Sequence, residues 1–280
     1  MKVAVTGASG FVGRHVLNAL LEHKVEVYAI TRDTKKLAHL DKSIRVLTLD
    51  IKDCNDNVFE KIGAPDTLIH LAWDGLPNYK SLSHFETELP KQYTFLKSLI
   101  DGGLNSLFVA GTCFEYGMQS GALSADMETK PSNPYGYAKD ALRKQLEFLK
   151  AINSFNLTWA RLFYIYGENQ ASTSLYSKLV EAVKRGDKVF NMSGGEQLRD
   201  YLPVQEVARQ IVKLAVAKHS YGLVNICSGI PISVRDQVEK WLHENNWEIQ
   251  LNLGYYPYPD YEAMAFWGEK KHLDLISDSL

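Results

Sequence analysis

Residues Val3–Val16 read VAVTGASGFVGRHV, and this stretch decides the fold. Val3, Ala4 and Val5 form a short apolar run suited to a strand buried on both faces. Gly7, Gly10 and Gly13 then interrupt the chain before Val12 and Val16 resume at helical spacing. Gly7 permits a tight turn, Gly10 a close approach of backbone to a pyrophosphate, and Gly13 close packing of helix on strand. The helix beginning here offers free N–H groups and a partial positive charge to phosphate. Ser9, Phe11 and Val12 ride on the same turn and join the candidate cofactor contacts. A glycine turn can also be merely a strand–helix connection. Its place in the first unit of an alternating chain selects the dinucleotide cradle.

That alternation runs through the first half. Lys2–Thr6, Val25–Thr31, Arg45–Leu49, Thr67–Ala72, Ser106–Thr112 and Leu157–Phe163 read as strands. Between them Phe11–Glu22, Leu89–Asp101 and Pro134–Ser154 read as amphipathic helices. Right-handed βαβ crossovers follow, and with them an α/β fold: a Rossmann-type doubly wound parallel sheet. Beyond Tyr164 the rhythm loosens into helices at Ser174–Arg185, Val204–Lys218 and Ser233–Asn245, short strands at Lys188–Asn191 and Gly222–Cys227, and an aromatic, irregular tail over Tyr255–Leu280. We expect a dinucleotide-binding domain over residues 1–164 and a smaller α/β substrate lobe over 165–280 that does not fold independently.

The 280 residues carry a formal net charge of -2, with 45% hydrophobic and 23% charged residues. That balance disfavours a nucleic-acid partner or an anionic membrane surface. No apolar run reaches the roughly 20 residues of a spanning helix. A start directly into strand and glycine turn predicts no signal peptide, and the three cysteines (Cys54, Cys113, Cys227) suit a reduced cytoplasmic setting. The eight histidines show no metal spacing, so no metal is expected; His70, inside an apolar strand, reads as a core residue.

The end of the second strand, VYAITRDTKKL, bears on the cofactor. An acidic residue there binds the ribose 2′-hydroxyl of NAD, whereas an arginine accommodates a 2′-phosphate. Thr31 stands in the acid's place and Arg32 follows, which favours NADP(H), with NAD(H) the other option. The same residues also fit a solvated Arg32–Asp33–Lys35 surface. Further on, NPYGYAKD (Asn133–Asp140) has an N-cap asparagine and a proline suited to the first helical position. Tyr135 and Lys139, four apart, share a helix face; Tyr137 does not.

With Gly-x-x-Gly-x-x-Gly at the start and Tyr135-x-x-x-Lys139 after the fifth strand, the chain resembles the extended short-chain dehydrogenase/reductase family. Within it, the likeness is to the nucleotide-sugar epimerase, dehydratase and ketoreductase branch. TLDIKD is similar to the family's adenine-contacting stretch, here Asp50 and Ile51. LIHLAW resembles the segment lining the cofactor, here Leu71, Ala72 and Trp73. AGTCFEYG, RLFYIYGENQ, EQLRDYLPVQEVA and GLVNICSG follow as further landmarks in order. The resemblance implies hydride transfer with Tyr135 as the acid, Lys139 lowering its pKa, and Thr112 hydrogen-bonding the carbonyl oxygen. It also implies a homodimer built on Leu89–Asp101 and Pro134–Ser154.

Departures narrow the reaction. The dehydratases carry an Asp–Glu pair after the threonine, where this chain has Cys113 and Phe114, and Glu115 comes one place too late. The family's frequent asparagine is replaced by Tyr164. Arg199 remains as a phosphate partner, or else as one half of an ion pair with Asp200 or Glu206. Trp73, Asn78 and Tyr79, with Phe114, are placed to border the sugar or to pack a lid. These features imply an NADPH-dependent reductase of a nucleotide-linked 4-keto-6-deoxyhexose, dTDP-linked first. An NAD-retaining 4-epimerase and a non-catalytic NADP-binding redox sensor are the alternatives.

Overall fold

Short apolar runs that must be covered on both sides assemble into one parallel sheet. In the computed structural model, which describes residues 1–38, 40–53 and 57–270, the first half comprises β1 (Lys2–Thr6), α1 (Phe11–Leu20), β2 (Glu26–Thr31), β3 (Arg45–Thr48), α2 (Val58–Lys61), β4 (Thr67–His70), α3 (Leu89–Asp101), β5 (Ser106–Thr112), β6 (Gly121–Leu123), α4 (Pro134–Ile152) and β7 (Asn156–Leu162). The second half adds β8 (Tyr164–Tyr166), α5 (Leu175–Arg185), β9 (Val189–Asn191), β10 (Leu198–Arg199), β11 (Tyr201–Pro203), α6 (Val204–Val216), β12 (Gly222–Ile226), β13 (Ile232–Ser233), α7 (Val234–Asn245), β14 (Gln250–Asn252) and β15 (Phe266–Gly268).

Seven strands pair in the order β12-β7-β5-β4-β1-β2-β3, all parallel. Side chains alternate across the sheet. Val3 and Val5 face one core with Val16 and Leu17 of α1 and Val207 and Ile211 of α6. Ala4 faces the other, with Phe95 and Leu99 of α3 and Leu142 and Leu146 of α4. This is the doubly wound Rossmann-type sheet the alternation predicts, and its carboxyl edge carries Thr6, Thr31, His70 and Thr112 toward one side.

Two expectations are corrected. The sheet does not end near residue 164: β12 pairs with β7, and α6 packs on α1. Val224 and Ile226 point to the same face and are buried in the core shared with α1 and α6, while Asn225 between them turns to the other face and bonds with the Tyr116 hydroxyl and the Leu123 carbonyl. The rest of the second half forms a separate apolar core on either side of that return, centred on Leu179, Phe190, Met192, Val238 and Trp241. The tail is not wholly irregular either: β15 pairs in parallel with β6, setting Phe266 beside Gly121. Cys54 and residues 271–280 of the tail lie outside the described residues. Among the described residues no helix is long and apolar enough to cross a membrane.

The glycine turn shows why the cradle needs its residues. Gly7 has φ +67°, and a Cβ there would meet the Ala72 nitrogen at 2.8 Å. A Cβ on Gly13 would fall 2.2 Å from the Gly7 carbonyl oxygen, backbone that cannot yield. Gly13→Ala is expected to lower stability by about 1–3 kcal/mol, as overpacking does. Urea unfolding of the purified variant measures it, and an unchanged midpoint contradicts the packing role.

Candidate active site

The carboxyl edge opens into a cavity of about 210 Å³ beside the glycine turn. Gly7, Ser9, Gly10, Thr31, Arg32, Asp50, Ile51, Leu71, Ala72 and Trp73, all expected around the cofactor, line it together with Asp74 and Glu88. Phe11 and Val12 face a neighbouring cavity instead, and Gly13 lines neither, serving the packing just described. Helix α1 starts at Gly10 without a side-chain cap, leaving its first N–H groups available. Behind the cavity, His70 is fully buried and held near pKa 3 by burial. Its Nε2 lies 2.6 Å from the Gln92 amide oxygen, which can only accept. Nδ1 therefore accepts from the Thr6 hydroxyl at 2.8 Å. His70 is a satisfied core residue, and among the described residues no cluster suits a metal.

Arg32 is not free for a phosphate. Its two terminal nitrogens donate to the Asp74 carboxylate at 3.0 and 2.9 Å. The surface trio Arg32–Asp33–Lys35 does not form around it; the Asp33 carboxylate instead accepts the Lys35 N–H.

The Asn133 side chain accepts the Gly136 N–H and starts α4 at Pro134, as the local sequence requires. Tyr135 and Lys139 then point inward and are buried, while Tyr137 is 55% exposed. Burial pushes the Tyr135 phenol far up; Tyr79, Glu115 and Cys113 push the same way, and a side-chain hydrogen bond with Thr112 opposes them. Burial also pushes the Lys139 amine down, to about 8. Its Nζ donates to the Ala110 carbonyl at 2.9 Å and lies 4.1 Å from the centre of the Trp73 ring. Lys139 is expected to lower the Tyr135 pKa together with a positive nicotinamide ring, and burial of the phenol opposes that effect here. Desolvation of the phenol outweighs the ammonium, whose hydrogen bond is spent on Ala110.

Thr112 ends β5 and caps the turn that follows. Its hydroxyl accepts the Phe114 N–H at 3.3 Å, and its own N–H donates to Glu115 Oε1 at 2.9 Å. Glu115 is wholly buried and faces away from the cavity. It accepts from the Trp159 indole at 2.9 Å and from Arg161 Nε at 2.7 Å. Reading residue types alone misses this role, although Thr112-x-x-Glu115 is a capping-box pattern and is its signal.

Tyr135, Thr112 and Lys139 line a cavity of about 760 Å³. Trp73, Asn78, Tyr79, Phe114 and Tyr164, the expected substrate neighbours, line it too. Tyr79 stacks near Phe114 and Tyr135, with ring centres 4.8 and 5.6 Å away, and its phenol is pushed up to about 12 by burial. Tyr261 and Glu262 complete the wall; no local pattern in the tail announces them. A further cavity of about 700 Å³ shares Thr173 and Tyr261 with this one and is lined by Lys178, Arg185, Phe190, Tyr256 and Tyr258. Arg199 lines neither. It is buried, donates to Glu262 at 2.9 Å and to the Tyr164 hydroxyl at 3.2 Å, and so is an internal ion pair rather than an open phosphate partner. Its partner is Glu262, not Asp200 or Glu206: the Asp200 carboxylate accepts the N–H groups of Ser228 and Gly229, and Glu206 pairs with Arg209.

A parallel Rossmann-type sheet, a glycine cradle at its first turn and a buried tyrosine–lysine pair on the helix after β5 together define the short-chain dehydrogenase class. A family model described as the NAD dependent epimerase/dehydratase family matches residues 3–227. The chain is 32% identical over 272 residues to the dTDP-6-deoxy-L-talose 4-dehydrogenase (NAD(+)) of Aggregatibacter actinomycetemcomitans, across 96% of this chain and 100% of that one. It is 28% identical over 243 residues to the GDP-6-deoxy-D-talose 4-dehydrogenase of the same organism, across 84% and 76% of the two chains. A solved UDP-N-acetylglucosamine 4-epimerase from Methanobrevibacter ruminantium M1, in complex with UDP-N-acetylmuramic acid, superposes with a TM-score of 0.86 at 19% identity, covering 99% of this chain and 91% of that one, a likeness of fold. This chain belongs to the NAD dependent epimerase/dehydratase family.

The buried amine has a measurable cost. Lys139 holds its proton less tightly folded, near 8, than in the unfolded chain, at 10.5. The unfolded state therefore binds more protons between those values, and stability rises with pH across that window. Lys139→Met is expected to stabilise the protein at pH 7 by roughly 1–3 kcal/mol. Its advantage over the parent should shrink as pH climbs from 8 to 10.5. Paired urea titrations at both ends of the window check this; a constant difference contradicts it.

Proposed function

We propose that this protein interconverts a C4 hydroxyl and a C4 ketone on a nucleotide-linked 6-deoxyhexose, with NAD(H) as hydride carrier and dTDP as the favoured nucleotide. The observation that carries the reading is Tyr135, hydrogen-bonded with Thr112 and backed by buried Lys139, in a cavity adjoining the glycine cradle. The cradle fits a dinucleotide: Gly7, Ser9 and Gly10 line it at the turn before α1, and Gly7 lies so close to the Leu71–Ala72 backbone that no side chain fits there. When bound, nicotinamide supplies or accepts the hydride at the sugar carbon. Tyr135, kept protonated by burial, donates to the oxygen that gains charge during reduction. Thr112 steadies the same oxygen through its hydroxyl. Oxidation requires Tyr135 as the phenolate, which accepts the C4 hydroxyl proton as the hydride leaves that carbon, and the nearby Lys139 ammonium favours the phenolate against the burial that opposes it.

The reductive direction expected from sequence and the oxidation named for the talose relative are one reaction run opposite ways. The Arg32–Asp74 pair and that relative's NAD(+) both favour NAD(H) over the NADP(H) that Arg32 alone suggests. Loss of water from the sugar lacks its acid and base. Cys113 is buried with its thiol pushed up by desolvation, and Phe114 presents a ring. The adjoining cavity supports the nucleotide: Lys178 suits a phosphate, whereas Arg185 is paired with Asp187 of the same wall, and Phe190, Tyr256 and Tyr258 suit a base. The same reading includes a homodimer through α4, whose Phe148 and Ile152 are 78% and 82% exposed.

Mixing the protein with NADH and a panel of 4-keto-6-deoxy sugar nucleotides, and with NAD(+) and the corresponding alcohols, tests the activity by reduced-nicotinamide absorbance. Turnover with a dTDP-linked sugar is expected, and Tyr135→Phe should cost about 10²–10⁴-fold in kcat, the usual worth of a positioned proton donor. C4 inversion with no net absorbance change identifies an epimerase instead; dinucleotide binding without any turnover identifies a sensor. For the dimer, replacing both Phe148 and Ile152 by lysine should yield a monomer by sedimentation velocity, and a parent that is itself monomeric refutes that part.

A further inference from the structure

The cofactor reading above leaves open what sets the choice between NAD(H) and NADP(H) in a chain whose second strand lacks the acid. Asp74 lies beyond the end of β4 and Arg32 directly after β2, with β1 running between them in the sheet. Neighbouring strands are about 4.8 Å apart, so this ion pair reaches across the strand that carries the glycine turn. Both residues line the cradle cavity. Asp74 is also held in place. Its N–H donates to Glu88 at 3.0 Å, its Oδ2 accepts from Lys91 at 3.1 Å, and Glu88 itself is buried and paired with Lys91 and Gln92.

We propose that Asp74, fixed across the mouth of the cradle, is the specificity-determining residue that selects NAD(H), by occupying the guanidinium a 2′-phosphate requires. Arg32 and Lys91 are matched one for one by Asp74 and Glu88, so this end of the cavity offers no surplus positive charge. Lys35 and Lys36, nearby in sequence, do not line it. A 2′-phosphate entering here must displace a carboxylate that Lys91 holds, on a residue whose backbone N–H Glu88 holds, and it then faces that carboxylate. A ribose 2′-hydroxyl meets no such opposition. The second strand thus looks built for NADP(H) in isolation, and a residue from two strands away reverses the reading.

Calorimetric titration of NADH and NADPH, with no sugar present, tests this apart from the proposed reaction. The parent should bind NADH more tightly. Asp74→Asn keeps the side-chain shape and removes the charge, and it should lower the ratio Kd(NADPH)/Kd(NADH) about two- to fivefold, roughly the worth of one such exposed ionic contact. The gain should shrink at high salt and vanish when Arg32→Ala is added. A ratio unchanged in Asp74→Asn overturns the assignment, as does a parent that already prefers NADPH. Binding of neither dinucleotide overturns the cofactor reading itself, whereas selective binding without sugar turnover leaves this assignment standing and removes the proposed reaction.

Discussion

The carboxylate of Glu115 is the constraint on which the site depends. It has no solvent exposure, yet its two oxygens serve the Thr112 N–H, the Trp159 indole and the Arg161 guanidinium. Burying such a charge costs several kcal/mol, and an apolar substitute of equal volume is often no less stable. What the ion pair contributes is placement. It ties the end of β5 to β7, where Arg161 also reaches the Tyr116 hydroxyl and the Ala125 carbonyl. Removing the acid would strand a buried guanidinium. The threonine hydrogen-bonded with Tyr135 is thus positioned by a charge that does not line the cavity.

On the other side of Thr112 the electrostatics run the opposite way. Tyr135 sits among aromatic rings and other acids, so its proton is held firmly. Lys139 is desolvated and spends a hydrogen bond on the Ala110 carbonyl, beneath the face of Trp73. Trp73 borders both the cradle and the larger cavity, and its indole donates to His84 at 3.1 Å. The pair that looks in sequence like a simple acid and its activator is, in the fold, two groups pushed toward neutrality by the same burial.

Local signals were readable and distant ones were not. Ser106–Thr112 and Leu89–Asp101 are found where their periodicity places them, because strand and helix are set by neighbours in the chain. The glycine turn and the Asn133–Pro134 helix start are equally local. Arg32 paired with Asp74 and Arg199 with Glu262 join residues far apart in sequence, so no spacing rule could name the partners. The return of β12 to the sheet was hidden for the same reason: its apolar run is brief, and only the open edge of β7 says where it belongs. Glu115 differs, since its capping pattern was present in four consecutive residues and its chemistry was judged by direction alone.

The pairing of β15 with β6 has a temporal side. Tyr261 and Glu262 are delivered to the cavity by this late segment, long after Gly7, Thr112 and Tyr135 have been made. Synthesis runs from the N-terminus, so a nascent chain carries Tyr135 and the glycine turn while the Tyr261 side of the cavity is still unsynthesised. One wall of the cavity therefore depends on a segment far along the chain from Tyr135, and a chain cut before Tyr261 would keep Thr112, Tyr135 and Lys139 without that wall.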